Sequence, residues 1–219
     1  MPENDTGHDP GDDRRPVSTR HRLLLAAARE FDHDGFSRTR LQAVCARAKV
    51  TKGALYCHFR SKEALALALI ERQALVCQAL KCELLRHGRG PAQTLVDLPF
   101  AFLRRLDEDL LTRAGNRLLR EATLFDRAAA GQVIGWTTTV RELLKLADDA
   151  GELRHGLNLR HVAEALVAEF FGQQLVSQAM TGQRDLPARL VRGWQAGLPL
   201  LVPSATLAGL RIGEDAGTS

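Results

Sequence analysis

The chain has 219 residues, 45% of them hydrophobic, and its 30 Lys and Arg exceed its 26 Asp and Glu to give a formal net charge of +4. That is enough apolar material for one or two domains with a packed core, and no uninterrupted apolar run approaches the roughly 18 residues of a membrane-spanning helix. The N-terminus is acidic and polar, with no basic patch leading into an apolar segment, so no leader is expected and the protein reads as cytoplasmic.

In chain order, residues 1–16 are rich in Asp, Gly and Pro and read as a disordered tail. Leu24, Ala27, Ala28 and Phe31 then follow the i, i+3, i+4, i+7 template, which predicts a helix over Thr19–Asp34 ended by Gly35. Thr39 and Gln42 form a T-x-x-Q capping box before a second helix of about nine residues that carries Leu41, Val44, Cys45 and Ala48. After a break at Lys49 and Val50, a third short helix runs from Thr51 to about His58. Ser61 is the expected N-cap of a fourth, continuous from Lys62 to about Arg86 and stopped by Gly88, Gly90 and Pro91. Further helices are expected at about 92–112, with a kink at Pro99, and at 115–129, 132–150, 159–181 and 187–200, leaving 204–219 as a flexible tail. No strand-like alternation occurs, so the class is all-α, with domains expected at 17–61 and 62–203.

The charge is uneven along this order. Residues 1–13 carry −5, residues 14–63 carry +8, and the remaining 156 residues carry only +1. A basic block on a nearly neutral body points to a polyanion, most simply nucleic acid. The block coincides with three short helices whose second and third form a helix-turn-helix pattern, in which the later helix enters the major groove. Thr51, Lys52, Gly53 and Tyr56 fall in the first turns of that recognition helix. Lys52 can donate to guanine O6 or N7, Thr51 to a base or phosphate, and Gly53 lets the backbone approach closely. Tyr56, His58, Lys62, Thr39 and Arg20 are the expected phosphate contacts.

Four cysteines at 45, 57, 77 and 82 form no CxxC pattern and read as small buried hydrophobes. The histidines show no i, i+4 pair, so neither metal nor cofactor is expected. No nucleophile triad order or Gly-rich phosphate loop supports an enzyme.

The stretch GFSRTRLQAVCARAKVTKGALYCHFRSKEALALALI, residues 35–70, resembles the helix-turn-helix of TetR-family transcriptional repressors, whose signature is close to AGVTKGALYxHFxSKEAL. TKGALYCHF, together with QLVSQAMTG at 174–182 and the ending WQAGLPLLVP, is most similar to the γ-butyrolactone receptor branch. That resemblance implies a ligand-released repressor: a homodimer on a palindromic DNA operator, with a small-molecule effector in the C-terminal domain. It implies Gln73 and Trp136 as ligand contacts, with Phe100, Phe171 and Gln174 as candidate wall residues. Dimerisation through the last two long helices would use Phe170, Leu175, Leu190 and Trp194. Two positions depart from the pattern: Lys49 replaces the turn glycine, and Phe170 and Phe171 stand where a threonine often precedes the glycine matching Gly172. A furan, butenolide or antibiotic intermediate is therefore an effector candidate beside a butyrolactone. The competing expectation is a small-molecule-binding protein whose DNA reader is vestigial.

Overall fold

The computed structural model describes residues 18–121 and 126–213, without the side chains of 126 and 127. The expected tail over 1–16 lies outside the described residues. Among the described residues the secondary structure is helical throughout: α1 (Thr19–Arg38), α2 (Leu41–Ala48), α3 (Lys52–His58), α4 (Lys62–Ala74), α5 (Val76–Arg86), α6 (Pro91–Glu108), α7 (Leu110–Glu121), α8 (Asp126–Asp149), α9 (Leu159–Thr181), α10 (Leu186–Leu201) and α11 (Ser204–Gly209). No described helix is long and apolar enough to cross a membrane.

Local chemistry explains most ends and corrects two expectations, the first being that Gly35 ends α1: it is non-helical at φ 75° and ψ 176°, but the helix continues beyond this kink to Arg38. The Ser18, Thr51, Ser61 and Asn158 side chains each accept a backbone N–H in the first turn of α1, α3, α4 and α9. The Thr39 capping box does not form. Arg40 is the N-cap of α2, and the buried Thr39 hydroxyl instead donates to the Gly35 carbonyl at 2.7 Å, closing the end of α1. Lys49 takes the left-handed conformation expected of the missing glycine, at φ 53° and ψ 50°. Its N–H and that of Val50 donate to Ala46 and Cys45, ending α2 as a left-handed cap.

Two hydrophobic cores organise the molecule. The first gathers Leu23, Phe31, Val44, Leu55, Leu65 and Leu69 of α1–α4 with Leu111, Ala114 and Leu118 of α7, so it extends past residue 61. The second gathers apolar side chains of α5, α6, α8, α9 and α10. The helix expected from Lys62 to Arg86 breaks at Leu75, where the chain passes from one core to the other: Ile70 belongs to the first, Val76 to the second. α7 crosses α4 so closely that a Cβ on Gly115 would lie 2.7 Å from the Leu69 carbonyl oxygen. Glu121, at the end of α7, accepts the Phe36 N–H at 3.0 Å and fills the space beside Gly35.

The expected tail after 203 is ordered in its first part. α11 follows Val202, Leu207, Leu210 and Ile212 pack on the second core, and Gln93 exchanges two hydrogen bonds with the Arg211 backbone. Cys45 and Cys77 are buried as expected, whereas Cys57 and Cys82 are exposed.

Candidate nucleic-acid interface and ligand chamber

The third helix is held by one buried anchor, Leu55, and by Phe59 just after it, which leaves its remaining surface outward. Thr51, Lys52, Gly53, Tyr56 and His58 are all exposed on α3 or at its cap. Lys52 Nζ stands 5.9 Å from the Tyr56 ring centroid, so cation and aromatic form one surface. A Cβ at Gly53 would meet nothing closer than 3.9 Å, so no packing within the protein requires a glycine there. Arg20 is exposed at the start of α1 and lies 5.2 Å over Phe59, beside the same surface. Arg40 and Arg60 are also exposed here, though only membership of the basic block marks them in the sequence. Arg40 makes no side-chain cap bond, so the first amides of α2 remain open to an external acceptor.

Two expected phosphate contacts are employed inside the protein. Thr39 is buried with its hydroxyl committed to Gly35. Lys62 points its ammonium into the end of α1, donating to the carbonyls of Phe36 at 2.6 Å, Thr39 at 3.0 Å and Ser37 at 3.3 Å, over the Phe36 ring. Carbonyls left open by the end of a helix are favourable partners for a cation.

In the second core, Trp136 is the centre of an aromatic cluster. Phe170 stacks on it with centroids 5.1 Å apart, and Phe102 and Phe171 meet it edge-on at 4.9 and 6.1 Å. The cavity left beside them, lined by Leu98, Val140, Leu166 and Trp194 among others, holds about 50 Å³. Ligand sites ordinarily measure roughly 300–1,000 Å³, so these rings nearly fill the chamber. Phe100 does not line it. Its ring lies by Gly213 and Val191, while Phe102, two residues on, meets Trp136 edge-on.

On the other side of Phe171, a groove of about 830 Å³ lies among α7, α8 and α9, lined by Asn116, Gln132, Gln174 and Arg120 among others. Gln132 donates to Gln73 Oε1 at 2.8 Å, joining α8 to the last turn of α4. Gln73, Gln132 and Gln174 are all buried. Among the described residues, Gln73 Nε2, Gln174 Nε2 and Trp136 Nε1 have no hydrogen-bond partner. Each is an N–H donor, and leaving one unpaired in the interior costs about 1–3 kcal/mol. Gln174 borders the groove and Trp136 the small cavity, while Gln73 borders neither, so an acceptor oxygen in the groove or in the cavity recovers that cost for the donor it meets.

The outward faces of α9 and α10 differ from the expected set. Leu175 is exposed, joined by Val176, Met180 and Leu200. Phe170, Leu190 and Trp194 are buried in the protomer's own core, because α9 turns Ala163, Val167, Phe170, Gln174 and Ser177 inward as one stripe. Among the described residues, no cluster of His, Cys, Asp or Glu is arranged to hold a metal ion.

The model of bacterial regulatory proteins of the tetR family matches residues 23–69. Over 197 residues the chain is 34% identical to the A-factor receptor protein of Streptomyces griseus, covering 90% of this chain and 68% of that one. A solved gamma-butyrolactone receptor described as ArpA-like is similar with a TM-score of 0.67 at 29% identity, covering 87% of this chain and 92% of its own. CprB of Streptomyces coelicolor, solved in complex with its biological operator sequence, gives a TM-score of 0.66 at 30% identity, with the same coverage of 87% and 92%.

Proposed function

Since the chain belongs to the tetR family of bacterial regulatory proteins, whose fold is that of DNA-binding regulators and not of enzymes, we propose that it is a repressor released from its operator by a small molecule. Acting in the cytoplasm as a homodimer, it sets two copies of α3 about one DNA turn apart, roughly 34–36 Å, in successive major grooves of a palindrome. The effector is an acceptor-rich molecule of the lactone, furan or butenolide kind, and the regulated genes are those of antibiotic or other secondary metabolism.

One observation carries the reading: α4 is rooted in the core that holds the recognition helix and ends in the buried Gln73, which accepts from Gln132 of α8 and keeps an unpartnered amide. A single helix thus touches both the DNA-reading unit and the ligand's candidate hydrogen-bond donors. The relatives named for A-factor and gamma-butyrolactone support the effector class.

A Lys52→Ala, Tyr56→Ala double variant should remain folded and lose operator binding in a gel-shift assay; undiminished affinity would sink the assignment. The filled chamber around Phe170 favours a second reading within the same fold, a receptor tuned to a different or more compact ligand. In that case genome-wide capture with the purified protein still enriches a palindrome, but a panel of γ-butyrolactones fails to release it. A vestigial DNA reader would enrich no palindrome.

A further inference from the structure

Four cations line a surface groove of about 200 Å³ on the DNA-binding half: Arg22 and Arg29 from α1, with Arg47 and Lys49 from the end of α2, around Leu25, Ala26 and Ala48. Arg47 is paired with Glu30, while Arg22 donates to the carbonyls of Ala48 at 2.6 Å and Lys49 at 3.2 Å. Among the described residues no carboxylate forms an ion pair with Arg22, Arg29 or Lys49, and the latter two are exposed. Like charges gathered around an apolar floor concentrate the local field and favour a polyanion. The Lys49 end lies two residues before Thr51, so whatever occupies the groove flanks the recognition helix.

The chain itself carries a polyanion of suitable size and reach. Glu3, Asp5, Asp9, Asp12 and Asp13 give residues 1–13 a charge of −5 with no Lys or Arg among them. Asp13 precedes the α1 N-cap, Ser18, by five residues, a span of up to about 17 Å at 3.3–3.6 Å per residue. Thr19 to Arg29 covers about 15 Å of α1 at 1.5 Å per residue. We propose that the acidic segment 3–13 docks in the Arg22, Arg29, Arg47 and Lys49 groove of its own chain and competes there with operator phosphates. Docking stands on charge and reach, and its effect on DNA rests on the repressor reading. Tethering places the segment at an effective concentration on the order of millimolar, so individually weak, screened attractions suffice to populate the contact.

The test uses the full chain with its five acids neutralised (E3Q, D5N, D9N, D12N, D13N), beside the parent. Without DNA, amide chemical shifts of the two proteins should differ at residues 22–29 and 47–49; identical shifts there, or differences confined to α3, overturn the docking. With operator DNA at about 0.01 M salt, the neutralised protein should bind about threefold tighter or more. That gap should narrow toward about 0.1 M, as the screening length falls from about 30 to about 10 Å. In an R29Q, K49Q background the neutralisation should change affinity little; simple additivity of the two sets would place the tail elsewhere and overturn the proposal. If the parent binds no operator at all, the repressor reading fails while the amide shifts still decide the docking.

Discussion

Lys62 belongs to the basic block, yet its ammonium is surrounded by carbonyls of α1. Lys62→Met should therefore lower stability by about 1.5–3 kcal/mol, as expected for losing bonds to a charged group, read as a fall in the urea midpoint. The salt dependence of operator binding should stay as in the parent. Lys52→Ala should do the opposite, leaving the urea midpoint near the parent's and reducing the salt slope by about one unit. The two lysines look alike in the sequence because the carbonyls that engage Lys62 lie 23–26 residues upstream, and only the fold brings them together. Thr39 misled for a related reason: its T-x-x-Q spacing is right for a cap, but the carbonyl of Gly35, left open by the end of α1, is the nearer partner. Trp136 and Gln73 were reached only through the family resemblance, and both are buried. That Phe170 would fill the space beside Trp136 depended on which face of α9 turns inward. Trp136→Phe keeps the aromatic contacts and removes only the N–H. DNA binding should be retained, while the effector concentration for half-release in a gel shift should rise about tenfold, the effect of one buried hydrogen bond.

At the scale of elements, apolar periodicity was a good guide to α9 and a poor one over α6–α8, where the helices expected at 92–112, 115–129 and 132–150 are Pro91–Glu108, Leu110–Glu121 and Asp126–Asp149. α9 was expected at 159–181 and is Leu159–Thr181. The break at Leu75 carries no Gly or Pro signal, since it arises where α4 and α5 join different cores. The junction of α9 and α10 is held by one carboxylate: Asp185 accepts from Ser177 and from Thr181 at 2.7 Å and pairs with Arg189 at 2.7 Å. The two hydroxyls, with Arg189 in support, hold its pKa down to about 2. Because the folded value lies below the ordinary one, the stabilisation is complete above about pH 4 and is lost as pH falls toward 2. Asp185→Asn should unfold at lower urea than the parent at pH 6, and the difference should shrink progressively as the comparison is repeated down to pH 2.

For the whole molecule, the exposed Leu175, Val176 and Met180 of α9 and Leu200 of α10 form an apolar surface that a protomer alone leaves in water. In the proposed homodimer this surface is covered by its counterpart. Leu175→Glu with Met180→Glu should shift sedimentation from dimer to monomer and weaken operator binding, since each monomer then holds only one half-site. An unchanged dimer would place the contact on another face. The pinning of α4 also has a mechanical consequence. Its 13 residues make a rod about 20 Å long at 1.5 Å per residue, tethered by Lys62 at one end and pressed against α7 at Gly115 near the other. A rod of that length tilted by about 10° carries its far end about 3.5 Å, and two opposed protomers double this to about 7 Å, against the roughly 34–36 Å between half-sites. The stroke is set by the number of residues in the rod. Inserting one further helical turn into α4 would lengthen the throw in proportion and carry Gln73 about 5.4 Å along the axis, away from its Gln132 partner.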